Sequence, residues 1–190
     1  MFAIAMIKEA QGSLPPRLVP DKPFPPYAYL PGRNPHPVRD PEGHSYAAEP
    51  ATAEPPDPSA WRACEDYLYG IDLFNHGYYW EAHEAWEGLW HACGRRGLTA
   101  IYLQALINFA AAGFKARWGN ARGMRANART AAKMFESAVR QLAASNARYM
   151  GLDVGELKRW ASGVAERPQA VQHSDTEAGA IAFGFVLSPE

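Results

Sequence analysis

The sequence predicts an all-α protein: an antiparallel helical bundle of about five helices, with an extended proline-rich N-terminal arm and a short C-terminal extended segment. Three observations predict it. Fourteen of the sixteen prolines fall in residues 1–58, so regular helix is confined to the chain beyond residue 58. From 57 to 166 apolar residues recur at helical spacing between glycine and asparagine stops. The connections between these stretches are short, which favours antiparallel neighbours. The chain divides on this reading into an arm (1–56), a bundle (57–166) and an extension (167–190).

Repeated X-Pro steps hold the arm extended or turning. Phe24, Tyr27, Tyr29, Leu30 and Tyr46 give it apolar surface to bury, so it is expected to wrap the bundle as ordered coil. Asp57-Pro58 offers a capping acid before a proline suited to the first helical position, which opens a helix ending near Phe74. Asn75-His76-Gly77 stops it, Gly77 supplying the left-handed residue. A second helix covers 79–92 and stops at Gly94, and a third covers 98–118 and stops at Gly119. Asn120 caps a fourth helix running to Ser145, and Asp153 with Glu156 forms a capping box for a fifth through Glu166. The tail ends Ala-Ile-Ala-Phe-Gly-Phe-Val-Leu, which reads as an extended segment laid on the bundle.

Composition bounds the function. At 190 residues, 47% apolar and 21% charged, the chain has the make-up of one globular core. A net charge of -1 supplies no overall pull toward nucleic acid or anionic membrane. Cys64 and Cys93 are too few for a disulfide scaffold and too far apart for a redox pair, so both read as free thiols in a reducing compartment. The run at 2–7 is short, lacks a basic lead and precedes Lys8 and Glu9, so it fails as a signal peptide. The apolar stretch near 105–114 contains Asn108 and is too short to span a bilayer. The expectation is a cytoplasmic protein with no membrane, and a homo-oligomer is left open.

Polar residues inside two otherwise apolar helices mark the candidate site, because a buried polar group costs free energy unless paired. The second helix carries an H-E-x-x-E step at His83, Glu84 and Glu87. At 100° per residue, His83, Trp80, Glu87, His91 and Glu84 share an arc of about 100°. On the third helix Gln104, Asn108 and Lys115 fall within about 40° of one line. The two rows are expected to face each other across a cleft. His83 and Glu87, four apart, can interact directly. Three readings stand: a divalent-metal site with His83 and Glu87 as ligands, an acid/base group of His83, Glu84 and Glu87, or an internal salt bridge that fixes helix packing. Neither the zinc-protease H-E-x-x-H pattern nor the ferritin-like E-x-x-H pairing fits.

Further candidates lie nearby. Trp80 and Trp90 are expected at the cleft, and Gln104, Asn108 and Lys115 would orient a small polar or anionic molecule. In the arm, His36 and His44 sit in a segment dense in catalytic residue types, and would supply a further ligand or proton carrier if it folds over the cleft. The bland alternative is a surface loop that satisfies its own turns. From Lys115 to Lys133 six basic residues (Lys115, Arg117, Arg122, Arg125, Arg129, Lys133) occur with no acid. Such a run is usually a solvated face or a set of partners for acidic side chains; an anionic-substrate or phosphate site is the next reading, and nucleic acid is disfavoured because no recognition module accompanies it.

The pattern Phe74-Asn75-x-Gly77, then Glu81-Ala82-His83-Glu84-x-x-Glu87-x-x-Trp90, then Leu106-Ile107-Asn108-x-Ala110-Ala111-Ala112 resembles the domain-of-unknown-function family numbered 309, small prokaryotic all-helical proteins. The resemblance covers roughly 65–140. The proline-rich arm is similar to an extension of longer members. A departure is Ala105, where many members carry glycine. The resemblance implies a helical bundle with His83, Glu84, Glu87, Trp90 and Asn108 as its shared polar centre, and implies no reaction. The leading functional expectation is therefore a small-ligand or divalent-metal site with hydrolase-like chemistry; the rival is a non-catalytic interaction or structural module.

Overall fold

A computed structural model of the chain describes residues 15–48, 53–142, 147–166 and 181–190. The run at 2–7, the last residues expected of the fourth helix (143–145) and the polar part of the C-terminal extension (167–180) lie outside the described residues. Five helices carry the fold: α1 (Glu65–Asn75), α2 (Tyr79–Ala92), α3 (Gly97–Arg117), α4 (Ala121–Leu142) and α5 (Val154–Glu166). Each packs on the next in sequence order, giving an all-α bundle.

The expected stops hold: Gly77 (φ 80°), Gly94 (φ 61°) and Gly119 (φ 74°) each turn the chain in the left-handed region after a helix. Asn120 caps α4 by accepting the Gly123 amide at 2.8 Å, and Asp153 caps α5 by accepting the Glu156 amide at 2.8 Å. The start of α1 differs from expectation. Asp57 Oδ1 accepts the Ser59 amide and hydroxyl at 2.8 and 2.7 Å, so its carboxylate closes a local turn and caps no helix. A 3-10 turn at Trp61–Ala63 comes next, its Trp61 buried, and α1 begins only at Glu65. A two-residue hairpin, β1 (Arg148–Tyr149) and β2 (Leu152–Asp153), adds strand pairing that helical periodicity does not announce. It turns on Met150 and Gly151, both at positive φ, as the tightest hairpins require.

Helices α1, α2 and α3 approach closely because glycines let them. A Cβ on Gly70 would run into the Trp86 indole, and one on Gly113 into the Tyr79 ring. Tyr67 and Tyr102, both fully buried, share a 2.7 Å hydroxyl pair, and Tyr67 donates on to the Met150 carbonyl at 2.8 Å. The Trp86 indole donates to the Tyr67 carbonyl at 3.2 Å. The C-terminal residues 181–190 lie along this core without regular structure. Asn75 binds the backbone of Leu187 in both directions (2.8 and 2.7 Å), while Phe183 stacks between Phe74 and Phe109 and Phe185 stacks on Trp160. That accounts for the asparagine of the F-N-x-G step: it is a clamp for the tail.

Length does not exclude a membrane span. α3 runs 21 residues at a mean hydropathy of 1.4, long and apolar enough to cross a bilayer by those measures. Eleven of its residues are buried inside the bundle, and that burial accounts for its apolar character.

Candidate functional site

Tyr79, Ala82, Trp86 and Leu89 turn one face of α2 into the core. The flanks of that face carry two different polar groups. On one flank His83, Glu84 and Glu87 form a trio: His83 Nδ1 lies 3.2 Å from Glu84 Oε1 and 3.8 Å from Glu87 Oε2. One donor atom from each fits within 4.8 Å of the others. Their side chains stay 28%, 42% and 38% exposed, so water screens the trio. His91 extends the row, its Nε2 3.9 Å from Glu87 Oε1, and accepts a hydrogen bond from Arg95.

On the other flank Glu81 is buried, its side chain 5% exposed. The arm covers it. Glu81 Oε1 accepts the Tyr29 amide at 2.8 Å and lies 3.5 Å from His44 Nε2, an imidazole itself 7% exposed. Glu81 Oε2 and His44 Nε2 are both sealed from solvent, without a hydrogen-bond partner among the described residues. Burial pushes the Glu81 carboxyl up to about 7, against the pull of the Tyr29 amide and of Arg117. Burial likewise lowers His44, keeping the imidazole neutral at neutral pH. His44 Nδ1 is paired with the Ser45 hydroxyl at 2.8 Å.

A second buried carboxylate fixes the arm at residues 17–19. Asp72 on α1, 1% exposed, accepts the amides of Leu18 and Val19 at 2.8 and 2.9 Å, with Arg17 Nε 3.7 Å away. Between these two anchors the arm encloses a cleft of about 290 Å³ against α1 and α2. Lys22, His44, Asp66, Tyr69, Trp80 and Glu81 are among its lining residues, and Glu84 reaches its edge.

The sequence-derived candidates divide between these places. Trp80 and His44 line the cleft, with the Trp80 ring edge-on to Tyr29, His36 and His44 at 5.5, 5.7 and 6.5 Å. His36 stands beside that ring, but its Nδ1 accepts the Val38 and Arg39 amides at 3.3 and 3.4 Å and so is spent on its own turn. Trp90 packs on the core edge beside His91, under the Arg95 guanidinium, away from the cleft.

The expected seam between the rows of α2 and α3 is not formed. α2 meets α3 through Tyr79 on Gly113, which lies about 180° around α3 from Gln104. Asn108 donates to the Gln104 carbonyl at 2.8 Å and approaches Met134 of α4, so it serves its own helix and the α3–α4 contact. Lys115 sits 4.6 Å over the Trp118 ring, and Trp118 is exposed. Arg122, Arg125, Arg129 and Lys133 are exposed on α4. Glu81, Asp72 and Asp66 are the acids that hold the arm or line the cleft, and sequence patterning does not single them out. The one signal for Glu81 is a lone acid between buried Tyr79 and Ala82, inside the very motif that carries the family resemblance.

No curated protein matches the chain in sequence. A family model described as "Domain of unknown function (DUF309)" matches residues 67–127, from the start of the tyrosine network on α1 into α4. The matched segment holds Glu81, the His83 trio and Asn108, whereas the arm that closes the cleft and helix α5 lie outside it. Residues 67–127 of this helical bundle are a domain of that family, as the F-N-x-G and E-A-H-E-x-x-E motifs imply.

Proposed function

We propose that the chain binds a small polar molecule in the cleft between the arm and helices α1 and α2, with Trp80, Glu81 and His44 as contact groups. One observation carries this reading: the Glu81 and His44 side chains, each more than nine-tenths buried, line the same cleft, and Glu81 Oε2 has no hydrogen-bond partner among the described residues while His44 Nε2 lies 3.5 Å from Glu81 Oε1. Buried polar atoms are paired in the great majority of cases, so an orphaned Glu81 oxygen beside this cleft supports a partner that enters it from solvent. A cleft of this volume with a few convergent polar groups and a shifted carboxyl is the form that ligand sites take.

The test is thermal stabilisation by panels of small amines, acids, amides and sugars. A ligand at a hundred times its dissociation constant adds about 2.7 kcal/mol, readily seen as a rise in Tm. The expected result is stabilisation by one chemical class that is lost in Ala85→Met, which fills the cleft from α2. Equal response of wild type and variant to every panel would overturn the reading in favour of the structural module, in which the buried acids only hold the arm.

A second reading is favoured by the donor spacing of His83, Glu84 and Glu87. Three nitrogen and oxygen donors with the remaining positions open to water form the arrangement in which a divalent cation supports hydrolysis. Metal content measured after dialysis against zinc or manganese, in wild type and in His83→Ala, decides it; equal content in both removes the reading.

A further inference from the structure

Resting on the cleft reading above, we propose that its occupant is a small primary ammonium ion on a short apolar stem, held between the Trp80 ring and the carboxylates of Glu81 and Glu84. The cleft already contains one worked instance of this recognition. At one end the chain's own Lys22 ammonium lies 2.9 Å from Asp66 and 3.3 Å from Glu65, and 4.6 Å over the Tyr69 ring. An ammonium held by a carboxylate and an aromatic face gains from both the ion pair and the ring quadrupole. Trp80, Glu81 and Glu84 place another ring and two further acids in the lining of the same cleft.

Charge around the lining selects in the same direction. Asp66, Glu81 and Glu84 are set against a single lysine among the described lining residues, and that lysine is engaged by Asp66 and Glu65. His44 is neutral through burial, so it supplies no positive charge. An anion entering here would meet an acidic wall whose lysine is already committed; a cation would offer Glu81 Oε2 the hydrogen-bond donor it lacks among the described residues. Lys115, expected to draw an anionic ligand, stands outside the lining. Volume sets the size. About 290 Å³ is at the lower end of ligand sites, enough for a few heavy atoms and too little for a folded peptide segment.

The experiment is calorimetric titration of the full chain at constant ionic strength with n-butylammonium, sodium butyrate and n-butanol, three probes of one stem and different charge. A lysine-containing tetrapeptide tests whether the ammonium can arrive on a larger carrier. The expected result is saturable binding of n-butylammonium alone, weakened about tenfold in Glu81→Gln, which keeps the side chain's shape and loses its charge. Weakening of a few-fold is expected in the more exposed Glu84→Gln, whose fold is checked by circular dichroism. Preferred binding of butyrate or butanol overturns the cation proposal and leaves the cleft reading standing. Preferred binding of the tetrapeptide overturns the small-molecule part. Absence of binding by every probe, with no response from the wider panels, removes both readings together.

Discussion

Near pH 7 the Glu81 carboxyl is divided between its charged and neutral forms, because burial has raised it to about 7 from an ordinary 4.5. Between those values the folded chain holds a proton that the unfolded chain has released. Stability therefore falls as pH rises from 4.5 to 7 and levels off above, by about 3 kcal/mol at most. His44, lowered by burial, slopes the other way and costs stability as pH drops below 6.5. Urea unfolding of wild type and Glu81→Gln across pH 5 to 8 separates the two. The variant is expected to lose the downward slope, and parallel curves would refute the assignment. Glu81 is hidden from sequence patterning for a physical reason. Its contacts, the Tyr29 amide and the His44 ring, lie 52 and 37 positions upstream in a segment without periodicity. Helical spacing reports which residues share a face; it carries no trace of which face a proline-rich coil will cross. The exposed trio is legible because its three members lie within five residues of one another.

Helix boundaries are legible where local chemistry sets them. Gly77, Gly94 and Gly119 need the left-handed region, and Asn120 and Asp153 find their amides three residues on. The start of α1 departs from its sequence signal because Asp57 has a nearer use in Ser59. Packing between α1 and α2 gives a test at this scale. Gly70→Ala places a methyl against the Trp86 indole, an overlap worth about 1–3 kcal/mol that outweighs the helix-propensity gain of about 1 kcal/mol. Gly163→Ala on α5 meets nothing within 4 Å and is expected to keep the gain. Denaturant midpoints of the two variants should move in opposite directions; a rise in both would mean that Trp86 yields freely.

Across the whole molecule, the number and order of helices are legible, and the pairing of their faces is not. α3 is apolar almost all round, so there is no contrast to show which side meets α2 and which meets α4. The polar line of Gln104, Asn108 and Lys115 marks the side least engaged by α2, whereas its polarity suggests a seam shared with the polar row of that helix.

That same uniformity has a consequence during synthesis. α3 leaves the ribosomal tunnel while α4, which makes the most extensive contact with it, is still inside. For that interval the nascent chain displays a segment that a lipid bilayer or a holding chaperone would accept as readily as the later helix does. A chain stopped at Trp118 is accordingly expected to float with lipid vesicles or to form aggregates, and restoring residues through Leu142 to suppress both. Absence of flotation and aggregation in the shorter chain would show that α1 and α2 suffice as shelter.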